Sequence, residues 1–208
     1  MVEENPFIHE IPIAKKKLST WVVDILQAIV VALALLVVGY LFVFIPNQVD
    51  GDSMLPNFEN KQQLLTNKII QLIGTTNLAP NYDYKRGDVV IFKKPDHDDF
   101  IKRVIAVAGD RIMFKNGEVY INGSKIKEHY LPDTTQTKTY SFLSEGQEKT
   151  IPEGHYFLMG DNRSNSKDSR FDDIGFVERK YIKGKVFLRW LPFDRFGIIK
   201  QGEIEFLD

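Results

Sequence analysis

Polar and apolar residues are unevenly distributed along the chain. From Ala28 to Ile45, eighteen residues, AIVVALALLVVGYLFVFI, carry no charge. A helix needs about 18 or more apolar residues to cross roughly 30 Å of hydrocarbon, and Trp21 to Gln27 prolong the run toward the headgroups, so the pattern predicts one transmembrane helix over 21–46. A cleavable signal peptide would have an apolar core of about 7 to 15 residues ending in a small-x-small site, whereas Phe42 to Pro46 is bulky. A buried core helix is the other reading, and the uninterrupted length speaks against it.

Beyond Pro46 the pattern breaks into short segments. Met54 to Asn60 is turn-like, and Lys61 to Gly74 is mixed, readable as helix or strand. Arg86-Gly87-Asp88 turns into VVIF at 89–92, Lys93 to Asp99 is a charged loop, and Phe100 to Ala108 is again strand-like, closed by Gly109-Asp110. RIMF, EVYI and SKIK follow, separated by Asn116-Gly117 and Asn122-Gly123. Two Asn-Gly pairs between short alternating strands predict a tight meander, because type I′ turns need positive φ at both central residues. Residues 127–152 are polar, with Thr134 to Thr139 the best candidate for a mobile loop, while His155 to Met159 and Lys185 to Trp190 read as further strands. The predicted fold is mainly β, an antiparallel sheet core with a smaller β lobe inserted at about 111–153, preceded by the membrane helix.

Composition narrows the function classes. At 208 residues there is room for one ordinary domain beyond the apolar segment, and no internal repeat appears. With 27 Lys plus Arg against 28 Asp plus Glu, and no basic stripe after residue 20, a nucleic-acid partner is not indicated. The chain has no cysteine, which removes thiol nucleophiles, disulfides and thiolate metal sites together. Lys15, Lys16 and Lys17 precede the apolar run and Asp50 and Asp52 follow it. By the positive-inside rule residues 1–20 form a cytoplasmic tail and 47–208 an extracytoplasmic domain at the cell membrane, the lipid bilayer being one partner.

Three stretches could carry chemistry. The first is VDGDSMLP, 49–56, where a serine stands in a turn. A serine hydroxyl needs a neighbouring base to become a nucleophile. Of the four histidines, His9, His97, His129 and His155, none sits in a recognisable triad context. The HDD run at 97–99 cannot converge three adjacent side chains on one ion, and a solvated loop is the simpler reading. The second stretch is FIKRVIAV, 100–107, which sets Lys102 among apolar residues. A lysine acts as base only if desolvation brings its pKa from about 10.4 toward neutrality. Period-two geometry puts Phe100, Lys102 and Val104 on one face, and taken alone this pattern favours a solvent-facing or edge position for Lys102 or Arg103. The third is GDNRSNSKDSR, 160–170, dense in short hydrogen-bonding side chains. It departs from the calcium-loop template at Arg163 and Ser166. Asp168 and Arg170 could brace a site or form an ordinary surface pair.

Taken together, GDSMLPNF (51–58), RGDVVIF (86–92), IKRVIAVAGD (101–110) and GDNRSNSKDSR (160–170) resemble, in order and content, the motif boxes of type I signal peptidases. The size, the single N-terminal span and the external domain are similar to the Gram-positive bacterial branch. The resemblance implies a membrane-anchored serine endopeptidase that removes signal peptides from secretory preproteins, cutting after small residues (Ala-x-Ala), without cofactor or metal. It implies Ser53 as nucleophile and Lys102 as general base, Ser166 to orient the lysine, and Asp168 with Arg170 as a supporting ion pair. The Ser53 amide would meet the oxyanion. Val49, Met54, Phe58, Phe100 and Ile101 fall where the family's shallow substrate pockets are lined, with core packing the alternative for Val49 and Phe58. Some family members carry a hydroxyl residue two positions before the nucleophile; here Gly51 stands there. Residues 46–53 extend at most about 3.5 Å each, which keeps Ser53 within roughly 28 Å of the bilayer. The Asn-Gly meander would be the family's variable lobe.

Trp190, Phe193 and Phe196 could be interfacial anchors or β core. A self-cleaving Ser/Lys protease of the repressor type would lack the span and carry a DNA-binding module. A non-catalytic, membrane-anchored β-domain binding protein would account for span and strands but not for the joint occurrence of the serine turn, the apolar lysine and the Ser/Asp/Arg loop.

Overall fold

The computed structural model describes residues 18–73, 83–95 and 98–207. Most of the expected cytoplasmic tail, with Lys15 to Lys17 and His9, lies outside them, as does His97. Two compact units are resolved by their contacts, residues 1–41 and 42–208.

The first unit is dominated by helix α1, Leu18–Val43. Its segment Thr20–Val43 contains an 18-residue window of mean hydropathy 2.7, and its 24 residues make it long and apolar enough to cross a membrane. At 1.5 Å per residue it measures about 36 Å. The apolar run outlasts the helix. Phe44–Gln48 is strand β1, not the end of the span, because Ile45 precedes Pro46 and is steered away from helical angles, while β2 (Gln63–Asn67) offers a pairing partner.

The mixed stretch after the turn resolves into β2 and a short helix α2, Ile69–Ile73. The chain then continues as β3 (Val89–Phe92), β4 (Phe100–Val107), β5 (Arg111–Lys115), β6 (Glu118–Ile121), β7 (Ser124–Glu128), β8 (Glu148–Thr150) and β9 (His155–Met159). The last strands are β10 (Val177–Glu178), β11 (Ile182–Leu191), β12 (Gly197–Ile198) and β13 (Ile204–Leu207). All pairings are antiparallel. The larger sheet runs β1-β2-β11-β3-β4-β9-β10, with β12 on β11; the smaller runs β13-β7-β6-β5-β8.

The smaller sheet is the expected meander. Asn116 and Gly117, and Asn122 and Gly123, all take positive φ, between 54° and 90°, as the two type I′ turns require. The lobe is not built from 111–153 alone, because β13 supplies its outer strand from far along the chain. Thr134 to Thr139 is not a free loop: Thr137 is buried, its amide donates to the Gly117 carbonyl at 2.8 Å, and its hydroxyl accepts from Arg163 at 2.8 Å.

Strand β4 lies inside the larger sheet, between β3 and β9, with all six residues from Ile101 to Ala106 buried. Covered on both faces, it shows no polar side, and period two cannot be read from its burial. One core joins it to the small sheet through Ile105, Ala106, Ile112, Phe114, Ile121 and Phe157. A second lies around Phe92, Val104, Leu158 and Ile182. A third, of Val49, Met54, Phe58, Leu64, Ile91 and Val186, packs under the serine turn. Phe193 and Phe196 are 80% and 61% exposed and belong to no core, whereas Trp190 is partly buried on β11.

Candidate active site

The turn that carries Ser53 is fastened to its base by its own backbone. Asn57 and Phe58 donate to the Met54 carbonyl at 3.1 and 3.0 Å, and Leu55 donates to the Asp52 carbonyl at 3.2 Å. Met54 and Phe58 point down into the third core, each burial worth about 1.5–3 kcal/mol. Gly51 enters the turn at φ +82°, a conformation that favours glycine, and its amide donates to Asn60 Oδ1 at 3.1 Å. Open space surrounds the position a Cβ would take there, so the backbone angle, not crowding, disfavours a hydroxyl-bearing residue.

Strand β4 brings Lys102 to this turn. Its Nζ stands 2.8 Å from Ser53 Oγ and 2.8 Å from the Ile101 carbonyl, with the Phe100 ring centroid at 5.5 Å. Lys102 is 2% exposed, which overturns the edge or solvent-facing reading. Desolvation lowers its pKa from 10.5 to about 8, against the charges of Asp168 and Asp161 that raise it and with that of Arg170, which lowers it further. An amine so placed, within contact of a hydroxyl and close to neutrality, can accept that hydroxyl's proton at ordinary pH.

The 160–170 loop forms the far wall. Asp168 and Arg170 are fully buried, not a surface pair: Arg170 Nε and Nη2 each donate to the carboxylate at 2.8 Å, and the Gly160 amide adds a bond of 3.0 Å. Burial alone would raise the Asp168 carboxyl; the Arg170 fork outweighs it and holds the pKa below the usual value. Arg170 Nη1 donates to the carbonyls of Arg163 and Lys138. Ser166 Oγ is buried beside Asp168, whose carboxyl its hydroxyl helps to hold low, and no hydrogen bond joins it to Lys102 in this arrangement. It packs on Gly160, where a Cβ would stand 2.2 Å from Ser166 Oγ and 2.4 Å from the Ser53 carbonyl oxygen.

A groove of about 600 Å³ opens over the pair, lined among others by Gly51, Asp52, Ser53, Phe100, Ile101 and Lys102. Phe100 and Ile101 thus face it. Val49, Met54 and Phe58 do not line it; they are its buried floor, and Phe58 borders a separate cleft with Arg189. Among the described residues no cluster of His, Cys, Asp or Glu is arranged to hold a metal ion.

Residues to which the sequence reading gave no role hold this assembly together, Arg103 among them, whose burial overturns an edge or solvent-facing position for it as well. Arg103, also 3% exposed, grips Asp161 with two bonds of 2.8 and 2.6 Å, reaches the Gly87 carbonyl at 2.8 Å and stacks on Tyr130 at 4.0 Å. Asn57 donates to Asp161 and to the Tyr130 carbonyl, tying the serine turn to both. Arg163 pairs with Glu128 and Thr137 of the small lobe. Asn162 reaches back to the serine turn, its amide donating to the Ser53 carbonyl at 3.1 Å and its side chain to that of Asp52 at 3.0 Å. The only available signal was that an Arg, an Asp and an Asn stand in otherwise apolar or glycine-flanked segments; their partners lie about 50 to 110 positions away and leave no local pattern.

Comparison with known proteins agrees in extent and kind. Residues 21–191 match the family described as signal peptidase, peptidase S26. Signal peptidase I S of Bacillus subtilis (strain 168) is 35% identical over 185 residues, covering 86% of this chain and 92% of that one. Signal peptidase IB of Staphylococcus aureus is 33% identical over 193 residues, covering 88% and 94%. Signal peptidase I of Bacillus amyloliquefaciens is 33% identical over 176 residues, covering 83% and 90%.

Proposed function

Because the chain belongs to the signal peptidase family, peptidase S26, and is thereby a serine endopeptidase acting on signal peptides, we propose that it works as a membrane-anchored enzyme with a Ser53/Lys102 dyad, cutting secretory preproteins after small residues. The observation that carries this reading is the 2.8 Å approach of a buried Lys102 Nζ to Ser53 Oγ. Neutral Lys102 takes the hydroxyl proton as Ser53 Oγ attacks the scissile carbonyl. The resulting ammonium gives that proton to the leaving amine, which frees the mature N-terminus and leaves the signal peptide as an ester on Ser53. Lys102 then takes a proton from water as its oxygen attacks the ester, and returns it to Ser53 Oγ. The Ser53 amide, which donates to no acceptor among the described residues, is the oxyanion donor. Ser166, a buried hydroxyl beside Gly160 and Asp168, is the group available to hold the ammonium once formed. Asp168 and Arg170 fix the loop that presents it.

Phe100 and Ile101 form the groove wall against which small side chains fit, and overpacking there costs about 1–3 kcal/mol for larger ones. Helix α1 anchors the chain, with residues beyond it outside the cell membrane.

The test is incubation of the detergent-solubilised chain with a secretory precursor, followed by N-terminal sequencing of the product. Cleavage after an Ala-x-Ala site is expected, with Ser53→Ala and Lys102→Met each lowering the rate by at least ~10³-fold while both still fold. Processing at near the parent rate by either variant removes the dyad.

A further inference from the structure

Resting on that reading, we infer that Asn162 is a positioning residue that aims the Ser53 amide at the oxyanion. The peptide unit between Asp52 and Ser53 is trans, so its C=O and N–H point in opposite directions within one plane. Asn162 Nδ2 donates to that Asp52 oxygen at 3.0 Å, and Asn162 Oδ1 accepts from Ser164 Oγ at 3.0 Å, which fixes the NH₂ end of the side chain toward the turn. Leu55 adds a second donor to the same oxygen. With its carbonyl held from the 160–170 loop, the unit must present the Ser53 N–H to the opposite side. The Asn162 amide holds the next carbonyl, that of Ser53, so both peptide planes flanking the nucleophile are set by one residue.

The turn needs such a grip. Gly51, at φ +82°, is the least restrained residue type at the hinge of the donor peptide, and it brings no hydroxyl. The turn therefore offers the oxyanion one donor, whose aim depends on neighbours. Asn162 itself is anchored: the preceding Asp161 is held by both arms of the Arg103 fork and by Asn57.

The experiment uses the full chain in detergent with a quenched precursor peptide, comparing parent, Asn162→Ala, Asn162→Asp and Ser53→Ala. Both Asn162 variants lose the Nδ2 donor and keep the backbone bond; Asn162→Asp also keeps the size. Removing an oxyanion donor outright costs about 10²–10³ in kcat, and a misaimed one retains part of its effect. A fall in kcat of ~10- to 100-fold is expected for both, with KM within about twofold. Affinity for a peptide boronic acid, whose serine adduct places an oxygen where the oxyanion forms, falls by the same factor as kcat. In Asn162→Ala the pH midpoint of activity stays where the parent has it. A kcat within about twofold of the parent, or a fall in kcat not matched by the boronate, overturns the positioning role. Activity in Ser53→Ala would instead overturn the dyad on which the inference stands.

Discussion

In the proposed mechanism Lys102, its pKa lowered by burial to about 8, must be neutral to act, so the rate should report its charge. Only the neutral amine accepts the Ser53 proton. Below the midpoint kcat/KM is therefore expected to rise about tenfold per pH unit and to level above roughly pH 8–9; steady-state rates from pH 6 to 10 check it, and a flat profile would remove Lys102 as base. Gly160 makes a second demand at this scale. A methyl at its Cα would collide with the Ser53 carbonyl, which the Asn162 amide holds, and with both Oγ and Cβ of Ser166, so Gly160→Ala is expected to lower kcat by at least ~10²-fold with little change in fold. Circular dichroism alongside precursor cleavage would tell this from misfolding. Ser53 and Lys102 were nameable from the sequence only because four motif boxes stood in order; the strand pattern alone pointed Lys102 outward. Asn162, Arg103 and Asp161 were not legible as a group, since each is ordinary in its own segment and gains its meaning from a partner brought by the fold.

Strand β4 is an apolar central strand that buries an ionisable amine, and that tension has a thermodynamic sign. The Lys102 pKa is depressed from 10.5 to about 8, so between these values the unfolded chain holds a proton that the folded one has released. Stability thus rises with pH across that window, and the penalty is complete below about pH 8. Lys102→Met removes it, and is expected to be more stable than the parent at pH 7 by up to ~3 kcal/mol, the difference shrinking toward pH 10.5. Urea unfolding at several pH values measures this. The strands that sequence alone located, β3 to β7, β9 and β11, are runs of β-formers bounded by Gly or Asn-Gly turns. Those missed are of another kind. β1 hides in the tail of an apolar run, β8 is polar and three residues long, and β13 follows a loop with no alternation of its own; each exists because a neighbour offers an edge.

At the scale of the whole molecule, an apolar helix and a β domain divide the work. Deleting residues 1–43 is expected to move the protein from the membrane pellet to the soluble fraction after carbonate extraction, with peptide cleavage in detergent kept within about tenfold of the parent. Loss of all cleavage by a folded domain would mean that the helix takes part in the chemistry. The fold class was legible because alternation and turn chemistry are local. Which strands neighbour which was not, because β11 enters between β2 and β3 although about 90 residues separate it even from β3. That late insertion has a consequence for assembly. The serine turn lies between β1 and β2, the lysine strand pairs with β3, and among the described residues β11 is the strand that stitches these two groups into one sheet. A chain cut short before Ile182 would keep the serine and the lysine yet lose the seam between their strands, and it is expected to show no peptidase activity.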